Sequence, residues 1–127
     1  MRSFLLKKLV RDKISADMQG MGQQVVSRTL NDDEFVAELA KKLVEEAKEF
    51  DPADPKALNE LADVLEVVEA LGAEMGTDFE QLRKLQDERR EKRGGFKTRT
   101  YVEKVTLADD DKWASYYAKE PEKYTEE

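Results

Sequence analysis

The stretch NDDEFVAELAKKLVEEAKEF, residues 31–50, decides the fold because it combines a helix start with a long apolar face. Asn31 is a good helix-capping residue, and Glu34 stands three positions later, which is the spacing of a capping box. At about 100° per residue, apolar side chains then gather on one side. They are Phe35, Val36, Leu39, Leu43, Ala47 and Phe50. The pattern predicts an amphipathic helix from about Asn31 to Phe50.

A second stretch, LNELADVLEVVEAL at residues 58–71, repeats this apolar helical pattern. Asp54 is the expected cap of that helix, and Pro55 suits its first position. The helix should continue to about Met75. Because its connection to the preceding helix is short, the two helices should be antiparallel neighbours.

Weaker signals complete the expected fold. A short helix is predicted within residues 9–21, and a fourth helix begins at a Thr77/Glu80 capping box and stops at Gly94. Alternating polar and β-branched residues predict short strands at residues 23–30 and 97–105. The sequence therefore predicts a mainly α single domain over residues 1–127. Its expected form is an antiparallel helical bundle with a small β element and a C-terminal aromatic tail that packs over the core or over a neighbouring subunit.

The composition limits the chemistry that the chain can perform. Its 127 residues include no cysteine and no histidine, which excludes disulfides, zinc-thiolate sites and catalysis by imidazole. The remaining oxygen ligands favour hard cations such as Mg²⁺ or Mn²⁺. A net charge of −7 argues against binding nucleic acid through charge alone. No long apolar run or signal-peptide pattern is present, so a soluble cytoplasmic protein is expected.

Two carboxylate pairs interrupt the apolar faces of the central helices. Glu46 lies in the same row as Leu39, and Glu60 lies inside the edge of the second apolar face. Glu49 and Asp63 follow at the borders of these faces. If the two helices are neighbours, the four carboxylates repel one another unless they are protonated, paired with Lys or Arg, or bound to a divalent cation. An ordinary solvated helix surface is the alternative interpretation.

Three motifs in order resemble those of the MazG-like, all-α nucleoside triphosphate pyrophosphohydrolases. The carboxylates resemble the signature Glu-x-x-Glu…Glu-x-x-Asp. KLVRDKI at residues 8–14 and EKRGGFKTR at residues 91–99 resemble segments of a subgroup described as phosphoribosyl-ATP pyrophosphohydrolase-like. The similarity covers about residues 7–99 and leaves residues 100–127 as an extension. The connection from Glu49 to Glu60 is shorter than in many members of the superfamily.

The resemblance implies magnesium-dependent hydrolysis of a nucleotide between its α and β phosphates, which releases a monophosphate and pyrophosphate. Glu46, Glu49, Glu60 and Asp63 would bind the metal, and Glu46 or Glu49 would accept a proton from the attacking water. Members of the superfamily assemble as dimers or tetramers, and many are thought to remove aberrant triphosphates from the nucleotide pool.

A polyphosphate substrate also requires cations. The candidate substrate-binding residues share positive charge and a place in or beside the motifs; they are Lys8, Arg11, Lys13, Arg89, Lys92 and Arg93. Basic residues at a helix C-terminus also complement the helix dipole. The basic run continues as far as Arg99, and Lys92 and Arg93 lie within the EKRGGFKTR motif, so we expect phosphate contacts from these two residues, chiefly because of their position in the motif.

Two other functions fit the same sequence. The histidine-pathway hydrolysis of phosphoribosyl-ATP would use the same scaffold and site. A non-catalytic helical oligomerisation or adaptor module would need neither metal nor nucleotide. For the leading function, the expected partners are a nucleotide and further copies of the chain, as a homodimer or homotetramer, without nucleic acid or membrane.

Overall fold

The computed structural model describes all residues, Met1–Glu127, and contains five helices and no strand. The helices are α1 (Ile14–Gly20), α2 (Asp32–Glu49), α3 (Ala57–Glu74), α4 (Phe79–Arg93) and α5 (Lys112–Ala118). The mainly helical class is confirmed. The predicted β element is wrong, because neither residues 23–30 nor residues 97–105 find a strand to pair with. None of the helices is long and apolar enough to cross a membrane.

The start of α2 follows the prediction from its local sequence. The side chain of Asn31 accepts a hydrogen bond of 2.9 Å from the Glu34 backbone N–H, and the Asn31 N–H donates to the Glu34 carboxylate at 3.4 Å. Arg28 also donates to Glu34 at 2.6 Å. The capping box is therefore present, and α2 ends at Glu49, next to the predicted end.

The start of α3 differs from the prediction. Asp54 does not cap the helix, because its carboxylate accepts a 2.7 Å hydrogen bond from the Lys56 N–H within a turn. Asp51 accepts similarly from the Ala53 N–H at 2.9 Å. Such local bonds compete with helix formation, and α3 begins only at Ala57.

The starts of two other helices also differ from the prediction. The Asp78 carboxylate, rather than Thr77, accepts from the Gln81 N–H at 2.8 Å and so caps α4. Helix α1 begins at Ile14, which leaves the first part of the KLVRDKI motif outside any helix. Residues 1–13 lie outside the helices, and we call them the N-terminal arm.

The chain divides into two compact units, Met1–Lys92 and Arg93–Glu127. In the first unit, α2 and α3 are the only helices that pack along each other. A short connection, residues 50–56, makes them an antiparallel hairpin. Leu39 and Val67 are the only buried hydrophobic side chains, 4% and 5% exposed. They lie equally far along the chain from the middle of the connection, so antiparallel packing places them at the same level of the hairpin. The chain thus supplies a helical hairpin, and the predicted larger bundle stays a prediction.

The second unit contains an aromatic cluster around α5. Near the start of this unit, Gly94 has a φ of 80°, which is the left-handed conformation that the glycine pair was expected to adopt at the end of α4. Helix α5 itself was not predicted; Asp111 caps it by accepting from the Trp113 N–H at 2.9 Å. Edge-to-face packing follows, with ring centroids 5.2 Å apart for Trp113 and Tyr116 and 4.9 Å apart for Tyr117 and Tyr124.

Candidate acidic site on the helical hairpin

Glu46, Glu49, Glu60 and Asp63, which we call the acidic quartet, occupy the end of the hairpin near the connection. Glu46 and Glu60 are half-buried, and the Glu46 side chain is only 15% exposed. They lie equally far from the middle of the connection, so antiparallel packing places them at the same level. Glu49 is exposed and the Asp63 side chain is 46% exposed. On α2, Glu46 is more buried than Glu49, as helical periodicity predicts, whereas on α3 both Glu60 and Asp63 are half-buried.

Separate partners hold three members of the quartet. The Asp63 Oδ1 accepts from an Arg11 Nη at 2.9 Å, and the Glu46 Oε1 lies 3.8 Å from the Lys42 Nζ. The Glu60 Oε2 accepts from the Asp51 N–H at 3.3 Å. No three acidic side chains of the structure converge on a point where a metal ion would fit. The arrangement therefore brings the quartet onto one hairpin without gathering its oxygens.

The N-terminal arm lies against this hairpin. The Lys8 Nζ is 2.6 Å from the Glu45 Oε1 on α2, and Arg11 reaches Asp63 on α3. The Lys8 and Arg11 side chains stay 54% and 52% exposed, and such surface pairs are each worth about 0–1 kcal/mol. The structure therefore joins the first motif to the carboxylates through contacts that break easily.

Other basic residues expected at the site lie elsewhere. Lys13 is exposed at the start of α1, and Arg89 lines a groove between α3 and α4. Lys92 ends the first unit and Arg93 begins the second, both with exposed side chains. None of these four forms an ion pair. Of the predicted cations, only Lys8 and Arg11 form an ion pair with α2 or α3.

Glu45 contacts the N-terminal arm, and the sequence pattern did not predict this contact. Its hydrogen bond and charge attraction with Lys8 hold the pKa of the Glu45 carboxyl below its usual value. The same contact raises the pKa of Lys8, with smaller contributions from the charges of Glu49 and Glu46. Of these three glutamates, only Glu45 contacts Lys8. An acidic residue beside the signature and a lysine in the first motif were the only signals available.

The contact between Lys8 and Glu45 should depend on pH. Because the folded-state pKa of Glu45 is lowered, the contact stabilises the protein above the unfolded-state pKa of that carboxyl, and this stability is lost as pH falls through the folded-state pKa. Because the folded-state pKa of Lys8 is raised, its contribution is lost as pH rises through the folded-state pKa of the lysine. We expect the Lys8–Glu45 contact to be lost at both extremes of pH. Lys8→Met should return the Glu45 pKa towards normal in a carbon-13 NMR titration. Lys7→Met, which removes an unpaired lysine, should leave the titration unchanged; an unchanged Glu45 titration in Lys8→Met would contradict the contact.

Comparison with known proteins identifies no relative of the chain. No protein-family model, no curated protein and no solved structure matches the chain. The candidate site therefore depends on its motifs and on the geometry of the arm and hairpin.

Proposed function

We propose that the chain is a magnesium-dependent nucleotide pyrophosphohydrolase that cleaves between the α and β phosphates of a nucleoside triphosphate. The observation that carries the proposal is the position of the acidic quartet. Two carboxylate pairs with the spacing of the resembled signature lie on two packed antiparallel helices, and Glu46 and Glu60 are half-buried at one level. Two half-buried carboxylates at one level of a helical hairpin repel each other, and a bound cation would offset that repulsion.

The quartet fits magnesium in the chemistry of its donors. All four are carboxylates, the ligand type that Mg²⁺ prefers, and Glu49 has no partner within the chain. When bound, the ion would neutralise phosphate oxygens and lower the pKa of a water molecule. Loading it requires Asp63 to exchange Arg11 for the ion, which is inexpensive for a pair this exposed. Manganese has the same preference for oxygen ligands.

The N-terminal arm supplies positive charge beside the acids. A triphosphate carries negative charge that the quartet alone would repel, so the site needs cations of its own. Lys8 and Arg11 already lie against the hairpin, and release from Glu45 and Asp63 would free both for phosphate oxygens. The quartet member left free of the metal, Glu46 or Glu49, would accept the proton of the attacking water.

The biological setting follows from the resemblance. We propose that the substrate is a non-canonical nucleoside triphosphate, that the activity cleans the nucleotide pool of the cytoplasm, and that the enzyme is a homodimer or homotetramer. Phosphoribosyl-ATP is the alternative substrate. The purified chain should release pyrophosphate from a panel of nucleotides only when magnesium is present. Orthophosphate as the first product would contradict cleavage between the α and β phosphates.

A non-catalytic oligomerisation module is a second candidate, favoured by the apolar side chains that the helices leave exposed. Leu58 is 79% exposed and Leu61 is 48% exposed on α3. Such a module would self-associate without regard to magnesium and would release no pyrophosphate. The same nucleotide panel therefore separates the two functions.

A further inference from the structure

The N-terminal arm is held against α2 and α3 mainly by charge. Two ion pairs join it to these helices, Lys8 with Glu45 at 2.6 Å and Arg11 with Asp63 at 2.9 Å. Most of the large apolar side chains of the arm are exposed instead of packed; they are Phe4, Leu5, Leu6 and Val10. Burial of apolar surface therefore adds little to the docking of the arm.

The arm also fits loosely on the hairpin. Residues 6–9 and four charged residues of α2 line a cavity of about 160 Å³. Arg11 donates a single hydrogen bond to Asp63, although a guanidinium can bind a carboxylate through two. Both side chains of this pair remain about half exposed. The arm is thus docked without the close packing of a protein interior.

A strained residue lies within the docked segment. Lys7, directly before Lys8, has a φ of 50°. This left-handed conformation costs free energy in every residue with a side chain, because the Cβ lies too close to the following carbonyl oxygen. Lys7 forms no ion pair that would offset the cost. The docked arm therefore stores backbone strain that is relieved when the arm leaves the hairpin.

We propose that the N-terminal arm is an autoinhibitory segment, in which Arg11 neutralises Asp63 in the absence of metal and leaves when magnesium binds. The proposal rests on the proposed function, because it concerns the access of magnesium to the acidic quartet. A guanidinium beside Asp63 repels a divalent cation, so the docked arm and the ion exclude each other. Exposed ion pairs and a strained residue give docking a small free energy, which a ligand of the empty quartet can reverse.

Arg11 then acts with opposite sign in two binding steps. While docked, it weakens magnesium binding in proportion to the fraction of molecules whose arm is docked. Once released, it is a cation available to phosphate oxygens. A chain without magnesium therefore lacks both the ion and the free arginine that a triphosphate needs, and magnesium prepares the site for the nucleotide.

Nitrogen-15 relaxation of the Leu9 and Val10 amides tests whether magnesium releases the arm. The heteronuclear NOE of both amides should fall as magnesium is added to the full chain, and sodium chloride of equal ionic strength should have a much smaller effect. Amides of residues 101–105, which also lie outside the helices but in the second unit, should not change. An arm that stays ordered at saturating magnesium would overturn the proposal.

Magnesium affinity, measured by isothermal titration calorimetry of the full chain, tests the competition apart from activity. We expect Arg11→Ala to lower the dissociation constant of magnesium about three- to fivefold, the range that an exposed ion pair allows. Lys7→Ala removes the same charge from an unpaired residue of the arm and should change the constant by less than about twofold. An Arg11→Ala constant no lower than that of Lys7→Ala would overturn the competition.

A glycine at Lys7 tests the strain with no further change in charge. Glycine adopts a φ of 50° without the Cβ contact, so Lys7→Gly should strengthen docking and raise the magnesium dissociation constant about threefold relative to Lys7→Ala. Equal constants in the two variants would contradict the role of the strained residue.

Pyrophosphate release from the same proteins separates this proposal from the proposed function. Pyrophosphate release with an arm that stays ordered overturns only the autoinhibition. Release of the arm by magnesium without any pyrophosphate contradicts only the catalytic function. A chain that binds no magnesium overturns both.

Discussion

We expect Asp63→Ala to lower magnesium-dependent pyrophosphate release at least about 100-fold, because even the outer-shell partners of metal ligands cost about 10–100-fold in affinity or activity. Asp63 is one of two quartet members on α3, and Arg11 is its only side-chain hydrogen-bond partner. Since the side chain is 46% exposed, the substitution removes no core packing and changes stability by no more than about 1 kcal/mol. The loss should therefore appear in activity and not in folding.

The matched control for this variant is Glu66→Ala. Glu66 lies on the same helix, is exposed and makes no ion pair. It should keep parental activity and parental magnesium dependence. Activity should be measured over a range of magnesium concentrations, since a lost ligand raises the concentration that gives half-maximal rate. An Asp63→Ala enzyme that matches Glu66→Ala at every concentration would exclude Asp63 as a metal ligand.

We expect the double variant Lys92→Ala/Arg93→Ala to lose about 10–100-fold in kcat/KM, chiefly through KM. Charged groups donating to phosphate are worth about 1.5–3 kcal/mol each, and the two contacts need not be additive. Both side chains are exposed and free of ion pairs at the end of α4, so they are available to a ligand. The competing explanation, a complement to the helix dipole, predicts a loss of helix stability of about 0.3–1 kcal/mol per charge and an unchanged KM.

The control for the double variant removes two positive charges elsewhere. Lys84→Ala/Lys119→Ala makes the same change in net charge at lysines that form no ion pair. Its KM should stay close to the parental value at moderate ionic strength, where screening limits long-range attraction. If both double variants lose affinity equally, the effect is one of net charge and the basic segment has no special place in binding.

The helix starts show what could be predicted from local sequence. Helix α2 was predictable because Asn31 and Glu34 satisfy each other within one turn. The start of α3 was not, because Asp51 and Asp54 bond to the backbone of the connection and delay the helix. Helix α5 has a cap signal in Asp111, but its short aromatic run has no clear helical period.

The predicted strands failed for a different reason. Alternation at residues 23–30 and 97–105 matches the period of a strand, yet a strand forms only where a second one satisfies its backbone groups. The pattern carries no information on whether that partner exists. Without pairing, these segments are irregular in the structure.

The candidate site likewise has a part that local sequence predicts and a part that it does not. Periodicity predicts that Glu46 and Glu60 project into the packed faces, and their half-burial follows from it. The contacts of Lys8 with Glu45 and of Arg11 with Asp63 join residues far apart in the sequence, so no local pattern could predict them. Residue spacing places the acidic quartet on α2 and α3, and only the folded chain reveals which cations lie beside it.

Magnesium added to the full chain and followed by carbon-detected NMR of the side-chain carboxylates tests the central claim most directly. We expect the four side-chain carboxyl carbon signals of the acidic quartet to shift together along one saturating curve. The Arg11 guanidinium signal should change as magnesium displaces Arg11 from Asp63. Signals of Glu66 and Glu69, exposed on the same helix, should respond weakly and without saturation. Equal, unsaturated shifts across quartet and surface carboxylates would show that no hard cation binds between α2 and α3.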